Sequence, residues 1–318
     1  MMLWRAAYTD LRARSRGGAT FVAIVVVVAI FGLAVALAFH ALGQQPAPVV
    51  SFGAQNFGRS GTISNGPATP TAVDALTASS RSAILLVVLG GLMAVCGAVV
   101  AATVGAASVA GEHERETIDL LLTTQLGAGG VTAVKTLSTF LYSLLVTLAA
   151  APAFGLLLVF SSLPLASVGA ALIIVVGSIL LSSAIGVFFS SLTRSSAAAF
   201  LSAVGTVAFL LVGAAALYLL LSRLSNSLHV LTQLLLLPSP VAALVSSNYG
   251  QFQAPDAVLL PALLRASPEH PVHLAGPWQL PVPLWLLTIA LDVVGALLLS
   301  VLTNKIIQGT GGARRLQI

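Results

Sequence analysis

Charge is what this sequence has least of. Only 7% of its 318 residues are Asp, Glu, Lys or Arg, against about 25% in a soluble domain that must keep its surface wetted. A water-soluble globule is therefore excluded, and so are a disordered chain and a coiled coil. Cysteine is nearly absent too. Cys96 alone cannot form an internal disulfide, which excludes a disulfide-built secreted scaffold, and within its apolar run it packs as a small hydrophobe. Paired carboxylates, a nucleophile elbow and an HExxH zinc site are missing in any setting fit for catalysis, so no enzymatic centre is legible.

What the chain has is apolar length. Hydrophobic residues make up 58% of it and its mean hydropathy is +1.03. A helix needs about 20 mostly apolar residues to cross the hydrocarbon core. Six stretches qualify: 19–42, 82–110, 131–160, 168–192, 197–221 and 283–307. Backbone groups in lipid must be satisfied internally, so such runs predict helices, and no alternating barrel pattern is present. The expected fold is an all-α polytopic membrane protein, one transmembrane domain over residues 1–318.

The basic residues supply the orientation. With the N-terminus inside, ten of the 14 Lys and Arg residues fall on the inner side and four on the outer, which predicts that both termini are cytoplasmic. The net charge of +5 is concentrated beside apolar runs, where it contacts membrane lipid head groups; nucleic acid is not an expected partner. Leu3, Trp4, Ala7, Tyr8 and Leu11 recur at helical spacing with Arg5, Thr9 and Arg12 opposite, so residues 1–18 read as an amphipathic interfacial helix, or alternatively as a frayed basic tail. The first run exceeds the 7–15 residues of a signal-peptide core, which favours a retained span over a cleaved leader. Segment 43–81 is rich in Gly, Pro, Ser, Thr and Asn and reads as mostly irregular. Segment 222–282 contains two short apolar stretches separated by Pro238-Ser239-Pro240. They suit re-entrant helices, with further prolines keeping the rest irregular.

The connection 111–130 stands apart because it holds four of the nine acids. Glu112, Arg115, Glu116 and Asp119 share one helical face, while Ile118, Leu121, Leu122 and Gln125 share another. A short surface helix with an acidic face suits protein docking; a solvated connector is the plainer alternative. The run Glu114-Arg115-Glu116-Thr117-Ile118-Asp119-Leu120-Leu121-Leu122-Thr123-Thr124, followed by Lys135, resembles the signature of type-2 ATP-binding-cassette (ABC) exporter permeases. Phe188-Phe189-Ser190-Ser191-Leu192-Thr193-Arg194-Ser195-Ser196 and Leu237-Pro238-Ser239-Pro240-Val241-Ala242-Ala243-Leu244 are similar to two later segments of that family. The sequence departs from the pattern at Glu116, Gln125 and Val134, where the family has Gly, Pro and Gly.

The resemblance implies a six-span permease whose cytoplasmic coupling helix, between spans two and three, seats in a separate ATPase subunit. It places Glu112, Glu114, Arg115, Glu116, Thr117, Asp119 and Leu122 against that subunit. It further implies pairing with a second copy or a related permease in a bacterial cytoplasmic membrane. This chain would bind no cofactor, ATP and Mg²⁺ belonging to the partner. Residues 129–136 miss a phosphate loop at Val134, where a glycine is needed, and no strand precedes them.

Other candidates carry less. Asp292 is the sole carboxylate within a predicted span, and a central charge costs about 2.5–3.5 kcal/mol on insertion scales. It could line a substrate pathway or relay a proton, or simply accept hydrogen bonds. Pro238 and Pro240 would shape the outer end. His270 and His273 sit in a proline-rich segment that rarely holds metal. Gly97, Ala101 and Gly105 recur every fourth residue, which suits close helix packing within the subunit or across a dimer. The functional expectation is an ABC exporter permease. An ion-coupled carrier using Asp292 and a non-transporting signalling or assembly protein are the alternatives.

Overall fold

The computed structural model describes residues 6–10, 18–43, 72–114, 127–152, 155, 165–193, 195–214, 216–217, 237–248, 272–273, 279–280 and 284–315. Residues 6–10 are helical. They are followed by α1 (Gly18–Gly43), α2 (Ala72–Glu114), α3 (Gly127–Leu148), α4 (Leu165–Leu192) and α5 (Ser196–Ala208). The last of these continues into a wider π-helical turn at Phe209–Gly213. A short helix, α6 (Pro240–Ser247), and a long one, α7 (Leu284–Arg315), follow.

Among the described residues, four helical stretches are long and apolar enough to cross a membrane: Ala83–Glu112, Gly129–Leu148, Leu165–Leu192 and Leu284–Gln308. They lie on α2, α3, α4 and α7, and make the chain a multi-pass membrane protein. The other two expected spans coincide with α1 and α5, whose described apolar stretches, Ile24–Leu33 and Ser196–Leu211, are shorter.

Three boundaries depart from the expectation. Helix α2 starts at Ala72, so the end of the 43–81 segment is helical. Helix α3 ends at Leu148, and after a turn at 149–150 residues 151–152 and 155 are helical again, so the expected 131–160 run is interrupted. Pro152 explains it: proline lacks an amide and its ring clashes with the carbonyl four residues back, that of Leu148. The chain instead tightens, with Ala149 and Ala150 donating to Val146 O and Thr147 O three residues behind. Finally, segment 222–282 is not irregular throughout. Val272–His273 (β1) pairs antiparallel with Gln279–Leu280 (β2).

Helix α4 is the centre of the bundle, with buried positions along its length and on all sides between Ser182 and Val187, while Leu172, Ile173 and Val176 are exposed. Toward the α6 end, Leu86, Leu89 and Met93 of α2 pack with Val168, Ile174 and Ile179 of α4, Val146 of α3 and Leu244 of α6. Toward the other end the core is made of alanines: Ala98, Ala102, Ala106 and Ala110 of α2 against Ile185 of α4 and Ala199 and Ala203 of α5. Small residues let the helices approach closely, which is how helices associate where lipid removes the hydrophobic driving force.

The approach is closest at Gly105 and Gly186. A Cβ on Gly186 would lie 2.7 Å from Ala102 O and 2.9 Å from Gly105 Cα. Backbone meets backbone there, and no side chain fits. The small-residue stripe of α2 thus serves packing inside the subunit, where Gly97 also meets Ile179 and Thr147. Cys96 packs against the same core.

Candidate functional site

Two polar constellations interrupt this apolar bundle. The first ties together the elements that flank the 115–126 connection. Lys135, just over two turns into α3, places its Nζ 2.7 Å from Glu112 Oε1 at the end of α2. The same ammonium lies 3.9 Å from Asp10 Oδ1 on the N-terminal helical segment. Ser138, one turn further along α3, donates to Asp10 Oδ2 at 2.7 Å. The charged side chains are mostly buried, at 13% exposure for Lys135 and 19% for Glu112. Low solvent access strengthens such charge-assisted contacts.

Glu114 makes a different contact. Its Oε1 accepts the amide of Ser196, 2.7 Å away, at the first turn of α5. The N-cap residue Ser195 makes no side-chain cap bond of its own, so a carboxylate from α2 satisfies an orphan donor at the positive end of the α5 dipole. One turn deeper, the buried hydroxyl of Ser190 accepts from the amides of Val109, at 2.8 Å, and Ala110, at 2.7 Å. The end of α2 is therefore fastened to α3, α4 and α5 at once.

Of the residues assigned to docking, Glu112 and Glu114 thus have their carboxylates engaged within the chain. Arg115, Glu116, Thr117, Asp119 and Leu122 lie outside the described residues. Residues 129–136 are helical throughout, not a phosphate-cradling loop.

The second constellation surrounds Asp292 on α7. Its side chain is buried, at 2% exposure, and faces Gly177 of α4, where a Cβ would lie only 3.2 Å from Asp292 Oδ2. Among the described residues, none forms a hydrogen bond or ion pair with this carboxylate. It opens on a small cleft shared with Ser178 and Ser182 of α4, Leu210 and Leu211 of the π turn, and Pro238 and Pro240 beside α6. The structure therefore brings together two features read separately in the sequence: Asp292 and the Pro238-Ser239-Pro240 segment. Ser239, between the two prolines, is fully buried, and its hydroxyl has no hydrogen-bond partner among the described residues.

Both cleft serines are committed. Ser178 Oγ donates to Val175 O at 2.8 Å and Ser182 Oγ donates to Ser178 O at 2.7 Å. Only their oxygen lone pairs remain. The four-residue spacing of Ser178 and Ser182 was the available signal for this polar stripe. Nothing in sequence linked Ser190, Ser138 or Asp10 to their partners, which lie many residues away. No group of three or more His, Cys, Asp or Glu able to hold a metal occurs among the described residues.

Compared with known protein families, residues 4–278 match the profile described as ABC-2 family transporter protein. No curated protein matches the chain significantly.

Proposed function

The chain belongs to the ABC-2 transporter family, and from that premise we propose that it is the exporting half of a complex driven by a separate ATPase subunit. Membership makes it a membrane subunit of an ABC transporter. The direction of transport, the motor and the partners are our reading. Two such chains, identical or related, pair in a bacterial cytoplasmic membrane with both termini inside. Two nucleotide-binding subunits sit beneath and hold ATP and Mg²⁺, while this chain supplies no catalytic residue.

One observation carries the mechanism. The connection 115–126 is bracketed by residues that tie it into the bundle: Glu112 to Lys135 on α3 and Glu114 to the amide of Ser196 on α5. A push on that connection by a closing ATPase would reach α2, α3 and α5 together. Bundles of this kind convert such a push into rocking between inward- and outward-facing states. The acids Glu116 and Asp119, with Arg115, Thr117 and Leu122, form the docking face. Glu112 and Glu114 brace it from behind.

The test is a Glu116→Lys, Asp119→Lys double variant of the tagged chain, purified from native membranes. The expected result is loss of the co-purifying ATPase subunit with the chain still inserted. Retention of that subunit at full ATPase activity overturns docking through this face. Buried Asp292 favours one second reading, ion-gradient transport by the chain alone. That reading predicts transport with no ATPase subunit present.

A further inference from the structure

From the lining of the Asp292 cleft we infer a binding site for one small monovalent cation of sodium size, formed by the Asp292 carboxylate with the hydroxyl oxygens of Ser178 and Ser182. The site stands on this chain's geometry; only its coupling to transport rests on the function proposed above.

The chemistry of the lining decides the ligand class. Asp292 is an acceptor when ionised, and both serine hydroxyls have spent their protons on carbonyls of α4. With Asp292 ionised, the polar side chains of the cleft present acceptors and no donor, and none of its lining residues is basic. An anion or a carbonyl ligand would meet only repulsion. A cation meets a carboxylate and the lone pairs of two hydroxyl oxygens.

Size and charge narrow the class. The cleft leaves about 10 Å³ of water-accessible space, about enough for one water-sized occupant. One carboxylate balances one charge, whereas calcium sites gather six to eight oxygens from several groups. A single monovalent ion matches both limits.

The surroundings are shaped for such an ion. Gly177 clears the space in front of Asp292 Oδ2. The wall opposite is the π turn of α5, where Ala214 donates to Phe209 O five residues back. Such wide turns recur at functional sites.

The test uses the full chain in lipid nanodiscs at constant ionic strength, comparing sodium chloride with choline chloride. Expected are one ²²Na⁺ bound per chain and a higher Tm in sodium. Asp292→Asn, which keeps the shape, should abolish both effects. Ser182→Ala should weaken sodium binding about tenfold, the scale of losing one supporting ligand group. Gly177→Ala, which crowds Oδ2, should weaken it as well and covers the case in which Asp292→Asn does not fold. Equal sodium binding by wild type and Asp292→Asn overturns the site. So does a Tm that is identical in both salts and responds to pH alone. If instead no ATPase subunit associates with the chain but sodium still binds, the ABC-motor reading fails and the cation site stands.

Discussion

At the residue scale the polar groups are few, and each one buried in the bundle has a definite consequence. Lys135 neutralises Glu112 and approaches Asp10 while mostly shielded from water. Replacing it with Met would remove the ammonium that lies 2.7 Å from the mostly buried Glu112 carboxylate. A fully buried pair broken in this way costs about 3–5 kcal/mol; residual exposure screens this one, so about 1–3 kcal/mol is expected. Thermal unfolding in nanodiscs should show the lower Tm, and adding Glu112→Gln to Lys135→Met should recover part of the loss rather than add to it. Glu114→Ala removes the acceptor for the Ser196 amide, a change worth about 0.5–2 kcal/mol at a helix N-terminus. Hydrogen exchange at residues 195–200 should then accelerate, while exchange in the middle of α4 stays unchanged. The sequence marked Lys135 only as a family position and Glu112 and Glu114 only as docking acids. Their partners were illegible because contacts such as Glu114 with Ser196 cross 82 residues of chain, and a periodicity argument reaches only along one helix.

At the element scale, the apolar runs were legible and their ends were not. Hydropathy located α2, α4 and α7 because their composition is uniform along the span. It overran α3 because Pro152 interrupts the hydrogen-bond ladder without interrupting the hydrophobicity. It missed the first turns of α2, where residues 72–81 are polar but helical. Packing between elements was half legible: the Gly97, Ala101, Gly105 spacing announced a close approach, but only the fold identifies the partner as Gly186. Gly186→Ala should cost about 1–3 kcal/mol, since the new methyl meets backbone at 2.7 Å and neither helix can yield cheaply. Gly111→Ala is the control. It lies in the same helix as Gly105 with nothing within 4 Å of the added atom, so it should be neutral or stabilise slightly through helix propensity. Paired unfolding curves of the two variants check this.

At the scale of the whole molecule, the design is a bundle that is apolar outside and fastened at one end. Leu297, Leu298, Val301 and Leu302 of α7, with Leu201 of α5, stay exposed on the isolated chain. In a membrane, lipid or a second copy covers them, so their exposure is no liability. The family was legible from the order of three short motifs, since motif order survives where individual positions such as Glu116 and Gln125 vary. The Asp292 cleft was not legible as a unit. It assembles residues from α4, α5, α7 and the turn before α6, elements that only the fold brings to one place.

The central claim is that a separate ATPase drives this bundle through the connection between α2 and α3. The most direct measurement places a single cysteine at Thr123, in a Cys96→Ala background, and cross-links it in native membranes. The account predicts an adduct with a nucleotide-binding subunit whose yield changes when ATP is added. Failure to form any such adduct, with the chain alone moving solute down an ion gradient in reconstituted vesicles, would contradict it.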